Sequence, residues 1–192
     1  MSSIYVSFQR FGLLLVALFP LTMLAEIIEQ TDYYPIVASN AEDLDVQLSL
    51  HNRNGFNADT RWTIQPRYGF IKGSDGCDIA KSNIKLTITY SMPEWTNKQD
   101  ASTELQERWN IWYANLLGHE KNHGYNGRQA YNEIKQGLYL IQPASSCSQL
   151  THAIKTMIER TLFKYSQEDK FYDQRTRHGA SEGASIQFSA NQ

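Results

Sequence analysis

The sequence predicts an α+β fold, a small antiparallel sheet packed against one long helix, from three observations. Two segments in the first half alternate apolar and polar residues with the period of a strand. A long central segment repeats its apolar residues with the period of a helix, and a second helical run follows a proline. With 192 residues and 41% hydrophobic content, the chain suits a single globular domain. Its formal net charge of -2 and lack of any Lys/Arg run exclude a phosphate-tracking surface, so no nucleic acid partner is expected.

The N-terminus differs in character from the rest. Arg10 precedes an uncharged run, "FGLLLVALFPLTMLA", that ends at Ala25. A transmembrane helix needs about 20 apolar residues; this run is shorter, contains Pro20 and ends in a small residue. Residues 1–25 therefore read as a signal peptide, with an uncleaved anchor as the alternative. The expected protein is exported, periplasmic or secreted, with no stable membrane span after cleavage. The folded domain is expected over 26–184, with a frayed polar tail over 185–192.

"TDYYPIVASN" predicts a short strand. "NAEDLDVQLSLHNRNG" predicts a helix, because its acidic first turn suits the positive end of the helix dipole; Ser39 or Asn40 caps it and Gly55 stops it. In "TRWTIQPRYGF" the residues Trp62, Ile64, Tyr68 and Phe70 share a face. In "NIKLTITYSM" Ile84, Leu86, Ile88, Tyr90 and Met92 oppose Lys85, Thr87, Thr89 and Ser91. An antiparallel pair with one wet face follows, ended by Pro93.

The long helix spans Thr103 to Ile141, with a stripe through Leu105, Trp109, Trp112, Leu116, His119, His123, Ala130, Ile134 and Leu138. Thr103 and Gln106 match a capping box, and Pro143 supplies the stop. An unbroken helix of this extent would be roughly 58 Å long, so Gly124 and Gly127 are the expected break points. A last helix, "SSCSQLTHAIKTMIERTLFKYSQEDKF", turns Leu150, Ile154, Ile158 and Leu162 inward. Cys77 and Cys147 are the two cysteines, an even count that predicts a disulfide in an exported protein. Closing a loop of that size contributes on the order of 4 kcal/mol.

The chemistry concentrates in "LLGHEKNHGYNG", where His119, Glu120 and His123 form H-E-x-x-H on the helix. Histidines four apart project from one face and can share a tetrahedral Zn2+. Glu120 lies about 100° round the helix and can act as general base on an attacking water. A third ligand must come from elsewhere. Glu133 would lie about 15 Å along the helix, while Gln129 and Asn126 replace the histidine and glycine of the longer H-E-x-x-H-x-x-G-x-x-H pattern. "FYDQRTRHGASEGA", placed after the last helix, offers His178 as first choice and Asp173 as second. Asp173 or Tyr172 could also orient ligands or stabilise an oxyanion.

At "YYPI", "TRWTI", "GCDI", "MPEW", "HEKNH" and "YDQRTRHGASEGA" the chain resembles a bacterial family, domain of unknown function 922, described as predicted secreted zinc-dependent proteases. The resemblance runs from Tyr33 to Ala184 and implies a zincin-like metallopeptidase. The chain departs from that family's pattern in two places: Asn122 stands where glycine is usual, and Ser181-Glu182 where Thr-Gln is usual. The combined expectation is a zinc-dependent hydrolase acting on a peptide or protein substrate. His119, His123 and His178 would be ligands, Glu120 the base and Tyr172 the oxyanion group. The substrate would add as a strand along Ile84 to Met92. The alternatives are a non-catalytic periplasmic metal-binding or scaffold module and a cell-wall amide hydrolase.

Overall fold

Alternation of apolar and polar residues organises the centre of the molecule. The structure, a computed structural model, describes residues 26–51 and 56–190; the expected signal segment lies outside the described residues. Strand β2 (Asp59–Gly73) turns into β3 (Gly76–Trp95), and the two pair antiparallel as expected, with Trp62 opposite Ile88 and Ile64 opposite Leu86. Ile84, Leu86, Ile88, Tyr90 and Met92 of β3 are buried, while the residues between them form a half-exposed face.

Strand β1 (Glu26–Ile36) joins the other side of β3 in parallel, giving the order β1-β3-β2 and a mixed sheet. The α+β class holds, but the sheet is not wholly antiparallel. The connection from β1 to β2 carries helix α1 (Ala41–His51), which makes it long enough to cross the sheet instead of closing a tight turn. Asn40 caps α1, its Oδ1 accepting from the Asp43 amide at 2.9 Å. One consequence corrects an expectation: β3 is the central strand, hydrogen-bonded on both sides, so Ile84 to Met92 offers no free edge.

Helix α2 (Thr103–Leu140) runs 38 residues without a break, capped by Ser102 and not by Thr103. Its glycines serve packing. A Cβ on Gly127 would lie 2.7 Å from Trp62 of β2, and one on Gly124 would collide with the Tyr90 hydroxyl of β3. Both glycines let the helix press on the sheet, and its length is supported by that contact and by helix α3 (Cys147–Thr176) beside it.

The Cys77 to Cys147 disulfide joins the start of β3 to the first turn of α3, with a separation of 70 residues. Reciprocal backbone bonds between Cys77 and Ala144, at 2.8 and 3.0 Å, reinforce the junction. At the opposite end of α2, Trp109 and Trp112 pack with Trp95 and Phe188. Over its described residues, 185–190, the C-terminal segment is docked where a frayed tail is expected. Phe188 is buried, the amides of Phe188 and Ser189 donate to Asp45 at 2.7 and 2.8 Å, and the Trp112 indole donates to the Ala184 carbonyl. The Phe188 ring, with Ile186 packed beside it against the core, supplies the buried area that docks the segment. Among the described residues no helix is long and apolar enough to cross a membrane.

Candidate metal centre

Two helices meet with matching periodicity. On α2, His119 and His123 are four residues apart; on α3, Asp169 and Asp173 are four apart and face them. Each pair lies on one side of its helix, one turn apart. The facing surfaces therefore bring two imidazoles and two carboxylates together.

Three atoms converge. His119 Nε2 and His123 Nε2 are 3.3 Å apart, and Asp173 Oδ1 lies 3.3 Å from the first and 3.1 Å from the second. His119, His123 and Asp173 are a group that could hold a metal ion. The other imidazole nitrogens face carboxylates: His119 Nδ1 is 2.9 Å from Glu182 Oε2, and His123 Nδ1 is 3.0 Å from Asp169 Oδ1. With a cation between the two Nε2 atoms and Asp173, each Nδ1 would direct its proton to its carboxylate and each Nε2 its lone pair to the cation.

Asp169 is held in turn by the Trp62 indole at 2.9 Å and the Asn126 amide at 2.7 Å. Glu182 sits in a short 3₁₀ turn, Ala180–Glu182, and accepts from the Tyr172 hydroxyl at 2.8 and 3.0 Å. Asn122 donates to that hydroxyl at 2.7 Å. Asn122 and Glu182, two of the three residues that depart from the resembled pattern, thus meet at Tyr172.

His178 is placed differently from its expected role as third ligand. It lies outside the converging group, about half exposed, with Nδ1 3.6 Å from Asp173 Oδ2 and its ring 4.3 Å from that of Phe56. The physical reason is the extent of α3. The helix continues through Thr176, so Tyr172 and Asp173 belong to it and do not sit in a following loop. The chain then reverses through Arg177, His178 and Gly179, all with positive φ, and turns the His178 side chain outward. Gly179 has its own role here: a Cβ would lie 2.8 Å from that of Ala184 and 3.1 Å from the His119 ring.

Tyr172 also differs from expectation. It is buried, its ring stacks on that of His119 at 4.9 Å, and its hydroxyl is committed to Glu182 and Asn122 instead of the cavity. Burial, with the Glu182 hydrogen bond, pushes its pKa up to about 12. Glu133, the ligand candidate along the helix, is instead occupied by Lys164, Tyr165 and Thr161.

Glu120 is buried beside the group. The Thr60 hydroxyl donates to its Oε2 at 2.5 Å and lies 3.1 Å from its carbonyl oxygen. Burial raises its pKa above the usual carboxylate range, and the Thr60 bond and neighbouring imidazoles offset this only in part. Burial disfavours the charged form of His123, but its bond to Asp169 and the charges of Asp173 and Glu120 outweigh this and raise its pKa. A cavity of about 340 Å³ opens over Glu120, His119, His123 and Asp173, walled by residues 56–60 on one side and by Lys170, Arg177 and His178 on the other.

Asp169, Thr60 and Trp62 have no site role in the sequence reading, and Glu182 stands there only as a departure from the resembled pattern. Of the first three, only Asp169 carries a readable signal, its spacing of four from Asp173. No curated protein and no solved structure matches the chain. A family model described as a bacterial protein of unknown function, DUF922, matches residues 31–179. The long helix with its histidines, strands β2 and β3, the disulfide and the acidic face of α3 all fall within that match, and the chain belongs to this bacterial family of unknown function.

Proposed function

We propose that this protein is an exported zinc-dependent hydrolase, a peptidase, in which His119, His123 and Asp173 hold the metal and Glu120 is the general base. The observation that carries this reading is a spacing. Tetrahedral zinc with bonds of about 2.0–2.1 Å separates its ligand atoms by roughly 3.3 Å. The three edges of the His119, His123, Asp173 triangle are 3.1, 3.3 and 3.3 Å. Two imidazoles and a carboxylate, with a second carboxylate outside the triangle, suit a catalytic site that keeps a position open.

Zinc held there would polarise a scissile carbonyl and bring the pKa of a water towards 7. The chain's own residues supply the rest. Glu120 lines the same cavity without being part of the triangle, so it can take a proton from an attacking water and return it to a leaving amine. Thr60 holds the carboxylate in place, and residues 57–60, at the start of the edge strand β2, give an extended peptide a backbone to pair with beside it. The disulfide supports export to the periplasm or beyond.

The test is proteolysis of an unfolded protein substrate by wild type and Glu120→Gln, each assayed for zinc. Wild type should bind one zinc and lose activity on chelation, and Glu120→Gln should keep the zinc while losing about 10²–10⁴-fold in rate. Equal proteolysis by both proteins would sink the assignment of the base. Cleavage of purified peptidoglycan but not of protein would move the substrate to a cell-wall amide.

A further inference from the structure

The hydroxyl of Tyr172 has one proton to give and lone pairs to receive. Asn122 Nδ2 donates to it at 2.7 Å, and the hydroxyl donates to Glu182 at 2.8 and 3.0 Å. Glu182 Oε2 then meets His119 Nδ1 at 2.9 Å. This makes a directed chain from α2, through α3, to the turn after α3 and back to α2. Among the described residues, Tyr172 and His119 are the side chains bonded to Glu182. Its carboxylate is about one-third exposed and lies in a turn of three residues, so Tyr172 is what keeps it over the imidazole.

We propose that Asn122, Tyr172 and Glu182 act as one positioning unit that orients His119 and sets how tightly the centre holds its metal. The inference rests on the metal-centre reading above. It gives Tyr172 a task away from the reacting atoms: its ring packs flat on His119 while its hydroxyl aims Glu182 at Nδ1. A ligating histidine whose free nitrogen is bound to a carboxylate is fixed in tautomer and rotation and is a stronger base towards metal. Unlike an oxyanion-binding group, such a unit acts whether or not substrate is present.

The test is competition for Zn2+ against a chromophoric chelator, with purified wild type, Tyr172→Phe, Glu182→Ala, Glu182→Gln and the double variant Tyr172→Phe/Glu182→Ala. Removing Glu182 should weaken binding about 10–100-fold, the range typical for loss of an outer partner of a ligand. Tyr172→Phe keeps the ring and should cost less, on the order of 3–10-fold. The double variant should bind within about twofold of Glu182→Ala alone, because residues acting in one chain are not additive. Glu182→Gln, whose amide oxygen still accepts from Nδ1, should recover part of the loss. The Co2+ absorption spectrum should shift in the same order.

Wild-type binding with Tyr172→Phe and Glu182→Ala both within twofold of it would overturn the positioning unit and leave the metal centre standing. Losses that multiply in the double variant would likewise overturn it, since Tyr172 would then act by another route. If wild type binds no zinc, the metal reading falls and this inference with it. Should Tyr172→Phe fail to fold, Glu182→Ala and Glu182→Gln decide the question alone, because both lie in an exposed turn.

Discussion

His119 and His123 are one turn apart on the same helix and each has a carboxylate on Nδ1, yet the two carboxylates are anchored in different ways. Asp169 lies mid-helix on α3 and is gripped by Trp62 from the sheet and Asn126 from α2. Glu182 lies beyond α3 in a turn reached through three positive-φ residues, and depends on Tyr172. The His123 side is thus made by packing of regular elements, and the His119 side by a local reversal of the chain. The first should resist changes that the second cannot.

The largest effect removes what the two sides share. Asp173 Oδ1 contacts both imidazoles, so Asp173→Ala should abolish stoichiometric metal binding in a direct metal assay, whereas retention of one zinc would break the triangle. Next comes the contrast itself. Asp169→Ala should weaken metal binding by about 10–100-fold. It should also cost the metal-free protein about 1–3 kcal/mol, because Trp62 and Asn126 lose a partner. Glu182→Ala, at a site about one-third exposed where water can replace the carboxylate on Tyr172 and His119, should lower the metal-free melting temperature less. Equal melting of both variants would erase the distinction.

Gly179→Ala strikes the His119 side alone. With φ at 79° and a Cβ forced against Ala184 and the His119 ring, it should cost about 1–3 kcal/mol, read from thermal unfolding. The pH dependence reports on the His123 side. In the metal-free protein the His123 pKa is raised above 6.5. Its protonated form therefore stabilises the fold below 6.5, and that contribution is lost as pH rises through the folded value. Metal needs the unprotonated ring, so apparent affinity should fall as pH drops, beginning above 6.5, by up to about tenfold per unit for one proton. Affinity unchanged between pH 8 and 6 would contradict the assignment. The smallest effect is a gain: Arg177 holds φ at 53° as the cap of α3, and Arg177→Gly should stabilise by about 0.5–1 kcal/mol, seen as a small rise in melting temperature.

Much of this architecture was readable along the chain. The alternation at Ile84 to Met92, the stripe from Leu105 to Leu138 and the paired cysteines each report a local or compositional constraint, and each appears in the fold. The glycines of α2 were misread because Gly124 and Gly127 look the same in sequence whether they break a helix or admit Tyr90 and Trp62. Likewise, the sequence pattern ends the last helix at Phe171, which puts Asp173 in a loop, whereas α3 continues to Thr176.

The sequence by itself determined the helix that carries His119, Glu120 and His123, because periodicity alone puts two imidazoles on one face. Tertiary structure decided which acid completes the group and which groups support it. Asp173, Asp169, Glu182 and Thr60 are separated from the histidines by 46 to 63 positions along the chain. No local pattern records that α3 crosses α2 at that turn. The crossing is set by glycine contacts with the sheet, the disulfide at one end and the aromatic cluster at the other, and such long-range packing is a property of the whole core.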